Sequence, residues 1–454
     1  MFDAMPRYPV AIIGGGYSGT ILAAMLARRG ISAALVDGSG KMGRGQAYST
    51  RDDAHLLNVR AERMSAFAAE PNHFADRYKA SGGDQRGFAR RAFYGDYLQG
   101  ILDDAIASGS TIPVEADAIS ARRETGGWRI ALSDGRSIHA RLVVLAIGNQ
   151  QPETFGPLAH AGKRLIANPW GQDARDGVIE AARKDSSVLL IGTGLTMVDA
   201  VLSLDAAGHS GRIVAVSRRG QTPLAHADFE PSPVAVDQLP LGTLTGMWRW
   251  LRRRSAEVGW QAAIDSLRPH SQRIWQSLDR TQQRRFLRHA RPWWDVRRHR
   301  IAPEVAAILS RRIQDGGLEI VAGWIEGAGA SDEGLDVEIK LRGTGVSRFE
   351  HFDVAINCTG PLHALARTRN PLLRDLLDQG LIRPDTLGIG IELGNDARVA
   401  DSNDLWAIGP LTKGRYWEIT AVPDIREQAA GIVDAIVERL MNDEQGAGQR
   451  MRAR

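Results

Sequence analysis

Glycines at fixed spacing are the residues of this 454-residue chain best suited to chemistry, because a backbone without Cβ atoms can lie directly against a phosphate. The first group, Gly14-Gly15-Gly16-Tyr17-Ser18-Gly19, follows an apolar run at 10–13 and opens an apolar stretch at 18–29 with helical character. That spacing assigns a tight turn to Gly14, close approach to a pyrophosphate to Gly16 and helix-on-strand packing to Gly19. The helix start, with Ser18, offers free N–H groups and positive dipole to the phosphates. A second strand at 32–36 ends on Asp37, placed to accept hydrogen bonds from ribose hydroxyls, which favours FAD or NAD and repels a 2′-phosphate.

A second group, Gly192-Thr193-Gly194-Leu195-Thr196, lies between a strand at 187–191 and a further helix, with Met197 where a third glycine would stand. Gly192, Gly194 and Thr196 are the candidate phosphate contacts. The next strand ends in Ser217-Arg218-Arg219-Gly220, and two guanidinium groups at the ribose end suit a 2′-phosphate. Two cradles of different preference, FAD first and NADPH second, read as electron transfer between dinucleotides.

Composition restricts the alternatives. With 43% hydrophobic residues the chain can bury two or three domains. Of its 57 basic residues 51 are Arg, an imbalance that reads as codon bias more than as a binding signal, and the formal charge is only +4. Cys358 is the single cysteine, which excludes an intramolecular disulfide scaffold, a cysteine metal cluster and a dithiol relay within the chain. The apolar stretch at 10–26 is centred on glycines and no basic cluster precedes it, so a soluble cytoplasmic protein without membrane contact is expected.

These elements predict an α/β chain with two Rossmann-like dinucleotide-binding domains, the NADPH domain inserted into the FAD domain. Residues 1–150 form the first part of the FAD domain, with a small β meander within 112–140 and a closing strand that leads to Gly148. Residues 151–330 form the NADPH domain, residues 331–441 the second part of the FAD domain, and 442–454 a disordered tail. Near the end a strand runs into Gly409-Pro410, and Pro423 opens an amphipathic helix whose start could face the flavin.

Six further stretches carry a resemblance: 43–50 (GRGQAYST), 55–59 (HLLNV), 63–66 (RMSA), 91–97 (RAFYGDY), 293–300 (WWDVRRHR) and 417–426 (WEITAVPDIR). With the glycine fingerprints, they make nearly the whole chain resemble bacterial FAD/NAD(P)-binding proteins of the two-dinucleotide flavoprotein superfamily. The resemblance implies FAD contacts at Gly14, Gly16, Ser18, Asp37, Gly45, Tyr48, Asn58, Met64, Ser65, Gly148, Gly409 and Thr420. That group is similar to class B flavin monooxygenases, including amine N-hydroxylases that act on small amino acids with NADPH and O₂, which implies the same reaction type here. The stretch 155–170 lacks the aromatic-Gly-His-Trp signature of Baeyer–Villiger enzymes, so ketone oxidation is not expected.

A helical insertion at about 240–300 interleaves Trp248, Trp250, Trp260, Trp275, Trp293 and Trp294 with Arg. It reads as a helical pair packing its Trp residues on the NADPH domain rather than as a nucleic-acid or membrane surface. Within it, Asp295 and His299 share a helix face, as an acid/base pair or a structural ion pair. In the stretch Lys413, Arg415, Tyr416, Trp417 and Glu418, just before the last helix, Arg415 is expected to fix a substrate carboxylate and Tyr416 or Trp417 to cover the flavin ring. Two other readings stay open: a reductase passing electrons to a small acceptor or partner protein, and a redox-sensing binding module.

Overall fold

The computed structural model describes residues 5–452. In chain order the strands are β1 (Arg7–Ile13), β2 (Ala33–Val36), β3 (Thr111–Val114), β4 (Ala118–Glu124), β5 (Gly127–Leu132), β6 (Ser137–Leu145), β7 (Leu165–Ile166), β8 (Val188–Ile191), β9 (Ile213–Ser217), β10 (Leu318–Ala330), β11 (Leu335–Leu341), β12 (Ser347–Phe352), β13 (Val354–Asn357) and β14 (Leu405–Ala407). They form two sheets. In the first, β3, β2, β1 and β6 run parallel in that order. The N-terminal half of β6 pairs antiparallel with β5 and so with β4, the expected meander, while its C-terminal half pairs in parallel with β14. The second sheet runs β7, β13, β8, β9, β10 in parallel and continues antiparallel through β11 and β12. These are two Rossmann-like α/β units, and the chain returns from the second to complete the first.

The inner parallel strands β2 and β8 consist only of Val, Ile, Leu and Ala and are fully buried, as strands covered by helices must be. One face of the first sheet packs on the helices Tyr17–Arg28, Arg91–Ala107 and Val422–Arg452; the other face packs on the meander and the helix Pro371–Asp378. The aromatic residues Tyr17, Tyr48, Phe74, Tyr94 and Tyr97 interlock beside the first helix, with the Tyr48 and Tyr94 ring centres 4.7 Å apart.

Three expectations change. The boundary at 330/331 is displaced, because β11, β12 and β13 belong to the second sheet and the return to the first domain comes only after Asn357. The alternation of β11 and β12 marks strands with one solvated face, which does not tell which sheet they extend. Residues 442–452 are helical rather than a disordered tail; Asp443 pairs with Arg141 at 2.8 Å and Arg439 at 3.1 Å, which ties that helix to β6, and residues 453–454 lie outside the described residues. The insertion is a run of short helices from Leu244 to Arg298, and its Trp275 packs on the 414–417 segment of the first domain rather than on the NADPH domain.

Gly19 has the packing role read from its position: a Cβ there would lie 1.9 Å from the Gly14 carbonyl oxygen. Gly431 sits exposed in the last helix, and a Cβ there would meet nothing within 4 Å. Gly19→Ala is therefore expected to cost at least about 1–3 kcal/mol, and Gly431→Ala to gain up to about 1 kcal/mol. Thermal unfolding of the two variants should move Tm in opposite directions.

Candidate functional site

The helix Tyr17–Arg28 begins after Gly16 with no side-chain cap, so its first-turn N–H groups face outward for a ligand. Gly14, with φ +110°, makes the turn from β1, and the Gly16 and Gly45 backbones meet so closely that a Cβ on Gly45 would lie 2.7 Å from the Gly16 Cα. Asp37, at the end of β2, accepts the Gly15 N–H at 2.6 Å and the Ser39 N–H at 2.8 Å, which fixes its carboxylate at the cavity wall. Arg44 lines the same wall; one of its nitrogens pairs with Asp96 at 2.6 Å, and its Nη1 is buried without a hydrogen-bond partner. Uncapped N–H groups, touching glycines and an unsatisfied guanidinium nitrogen fit a pyrophosphate, with Asp37 fit for a ribose.

The second helix start repeats the device. The helix Leu195–Ala206 follows Gly194 without a side-chain cap, and Gly192, with φ +115°, turns so tightly that a Cβ would lie 2.5 Å from the Cys358 carbonyl oxygen. Both starts open into one cavity of about 1460 Å³, lined among others by Gly14, Gly16, Ser18, Asp37, Gly194 and Thr196. Its volume exceeds the roughly 300–1,000 Å³ of ordinary small-molecule pockets and suits dinucleotides together with a substrate.

Residues 11–150 match the FAD-NAD(P)-binding family. No curated protein matches the chain. Among solved structures it is similar to ornithine hydroxylase from Pseudomonas aeruginosa, at 16% identity and TM-score 0.66, over 96% of this chain and 100% of that one. It is also similar to L-lysine 6-monooxygenase from Pseudomonas syringae, at 18% identity and TM-score 0.66, over 95% and 99% of the two chains. A cadaverine monooxygenase from Erwinia amylovora matches at 12% identity and TM-score 0.65, over 96% and 95%. These likenesses show the fold, two Rossmann-like α/β units in one chain.

Beyond the first glycine turn and helix start, Gly45, Tyr48, Asn58, Gly148, Trp417 and Thr420 all line the cavity. Several expected contacts do not. Met64 and Ser65 are buried elsewhere in the core: the Met64 carbonyl accepts the Tyr94 hydroxyl at 3.0 Å, and the Ser65 hydroxyl donates to the Phe67 and Glu70 carbonyls at 3.0 and 2.6 Å. Gly19, Gly192 and Gly409 shape the walls from behind; a Cβ on Gly409 would lie 2.8 Å from the Ser18 hydroxyl. Arg218 is exposed at the end of β9, and Arg219 donates to the His289 carbonyl at 3.4 Å; neither lines the cavity. Arg415 bonds Asn395 at 2.9 Å and Tyr416 packs on the first core, so both point away from the chamber.

The inner end of the cavity is built where the insertion meets the 413–418 segment. The Trp417 ring stacks on Trp275 with centres 4.9 Å apart, Gln272 donates to the Trp417 carbonyl at 2.6 Å, and the Trp275 indole donates to the Gly414 carbonyl at 2.8 Å. Glu418 is buried with φ +68°, a left-handed conformation that costs a non-glycine residue about 1–3 kcal/mol. Its carboxylate lies 2.6 Å from the buried Arg298, off hydrogen-bond alignment, and accepts the Trp294 indole N–H at 2.5 Å. Burial opposes its ionisation, but the Arg298 charge and the indole N–H outweigh burial and hold it below the ordinary carboxylate range.

Asp295 and His299 share a face as expected and both line the cavity. Asp295 pairs with Arg291 at 3.1 Å, and His299 Nε2 lies 4.0 Å from Asp295 and 3.7 Å from Glu418. Burial lowers the His299 pKa in spite of both carboxylates, so the imidazole is neutral near pH 7. The sequence reading did not mark Asn149, His363 or Arg369 as site residues, yet they also line the chamber. Asn149 could have been found by its place directly after Gly148; His363 and Arg369 carry no such sequence signal. Among the described residues no group of three or more His, Cys, Asp or Glu could hold a metal ion, and no helix is long and apolar enough to cross a membrane.

Glu418→Gln should leave the buried Arg298 charge without its partner and cost about 3–5 kcal/mol. Because the folded pKa of Glu418 is depressed, its contribution is present above the unfolded carboxylate pKa and is lost as pH falls through the folded value. The Tm gap between wild type and Glu418→Gln should therefore narrow on acidification from pH 7; a constant gap would contradict the assignment.

Proposed function

We propose that the protein is an FAD-dependent, NADPH-using monooxygenase that hydroxylates the nitrogen of a small polar amine. The observation that carries this reading is the single chamber onto which two dinucleotide cradles open and whose inner end is walled by Trp417, backed by Trp275, and by ionisable groups. The overall change, R–NH₂ + O₂ + NADPH + H⁺ → R–NHOH + NADP⁺ + H₂O, balances without a protein nucleophile. A bound flavin would supply the redox chemistry, taking hydride from the nicotinamide and passing electrons to O₂. The protein's part is to bind, orient and exclude water.

Each wall has a task in that scheme. The N–H groups at Gly16–Ser18 and Gly194–Thr196 hold the two pyrophosphates, and Asp37 holds the ribose of FAD. The Trp417–Trp275 stack and the Glu418–Arg298 pair keep the inner end dry and fixed. A primary amine reacts at nitrogen only as the free base, and neutral His299 on the wall, its pKa lowered by burial, adds no charge beside it. Within the reductase alternative, thiol chemistry on this chain is disfavoured: Cys358 is buried, burial raises its pKa, and it has no second cysteine to pair with.

For the second dinucleotide, Arg218 is the candidate 2′-phosphate ligand, because it is exposed at the end of β9 and forms no ion pair among the described residues. Arg218→Ala should raise KM for NADPH about tenfold, the loss of one charge-assisted contact, and leave KM for NADH nearly unchanged. The reaction type is tested on FAD-loaded protein mixed with NADPH and an amine panel. Amine-dependent O₂ consumption matched by hydroxylamine formation supports the monooxygenase. Fast NADPH oxidation by a dye with no dependence on amine moves the reading to a reductase, and bound cofactors without flavin reduction move it to a binding module.

A further inference from the structure

We propose that the inner end of the chamber takes a substrate bearing a carboxylate and that Lys413 is the residue that binds it. This deepens the proposed function and rests on it for the identity of the reaction. Lys413 follows the short helix Gly409–Thr412 after β14 and lines the cavity beside Trp417, its Nζ 5.5 Å from the ring centre. Among the described residues its ammonium has no hydrogen bond and no carboxylate within ion-pair distance.

The surrounding charges cancel in pairs. Arg291 is matched by Asp295 at 3.1 Å and Glu418 by Arg298 at 2.6 Å. His363, on the same wall, is neutral because burial, then Lys413 and Arg291, lower its pKa to about 3, and His299 is neutral because burial lowers its pKa as well. Lys413 is thus an unpaired charge beside Trp417; Arg369, which also lines the chamber without an ion pair among the described residues, donates instead to the Thr154 hydroxyl at 2.9 Å. A second cation, such as the far ammonium of a diamine, would be repelled there, whereas a carboxylate would complete the pairing. Arg415, the carboxylate ligand expected from the sequence, is held by Asn395 outside the chamber; Lys413, two residues earlier, occupies the position that role requires.

The charge on Lys413 also sets a pH limit. Burial, then Arg291, pulls its pKa to about 8 against Asp295 and Glu418, so the ammonium is present below that pH and anion binding should fade as pH rises through it. The same cation could serve a reduced, anionic flavin instead of a substrate, and the experiment separates the two.

The FAD-loaded full-length protein is titrated at pH 7, following the flavin spectrum, with the proteinogenic amino acids, L-ornithine and simple mono- and dicarboxylates. Their decarboxylated counterparts are titrated beside them, for example L-lysine against cadaverine and L-ornithine against putrescine. At least one carboxylate should bind saturably and at least about tenfold more tightly than its decarboxylated partner. Lys413→Gln should remove that advantage and Lys413→Arg should restore most of it, with FAD still bound in both. Equal affinity within every pair, absence of saturable binding by any carboxylate, or unchanged carboxylate affinity in Lys413→Gln each overturns the proposal. A shifted flavin midpoint potential in Lys413→Gln with unchanged carboxylate binding assigns the charge to the flavin and overturns it as well. Failure of the monooxygenase reading is a different result: carboxylates bind through Lys413, but NADPH does not reduce the flavin.

Discussion

Glu418 and Arg298 form a buried ion pair between two parts of the chain that are 120 residues apart, the helical insertion of the second domain and the segment that re-enters the first. Burying two charges is favourable only when each is well compensated, and here the Trp294 indole and His299 complete the surroundings of the carboxylate. The backbone at Glu418 is strained, with φ +68°. Such strain persists where neighbouring contacts over-determine the conformation. The hydrogen bonds from Gln272 to the Trp417 carbonyl and from Trp275 to the Gly414 carbonyl supply that constraint.

From this joint follows the shape of the chamber. Each Rossmann-like unit by itself offers only an uncapped helix start beside a glycine turn. Pinning the insertion to the 413–418 segment gives the two cradles a common inner end, places Trp417, His299 and Lys413 on one wall, and sets the charge balance that a substrate meets there. In the proposed reaction the tasks divide accordingly: the helix starts would bind the cofactors, and the joint between the domains would define what else can enter.

Much of the cofactor site was legible in the sequence, because strand, glycine turn, helix and terminal acid are local and consecutive from 10 to 37, and the second fingerprint repeats most of that order. The inner end was less so. Asp295 and His299 were readable as a pair from their four-residue spacing, but Glu418, 3.7 Å from His299, is more than a hundred residues away and no spacing rule connects them. Arg415 was preferred to Lys413 as the anion ligand because both lie in one short segment and only the turn after the Gly409–Thr412 helix decides which side chain faces the chamber. The boundary at 330 failed because β11 and β12 carry one solvated face in either sheet. Met64 and Ser65 are polar or flexible residues near a cofactor in sequence, yet their hydrogen bonds are spent inside the core.

The central claim is that both dinucleotides enter one chamber and meet at the wall carrying Trp417. Crystallography of the protein with FAD and NADP⁺ tests it most directly. FAD phosphates are expected at Gly14–Ser18, NADP⁺ phosphates at Gly192–Thr196, and both redox rings at the inner end beside Trp417. An NADP⁺ bound outside the chamber, or a flavin ring directed away from Trp417 and Lys413, would contradict it.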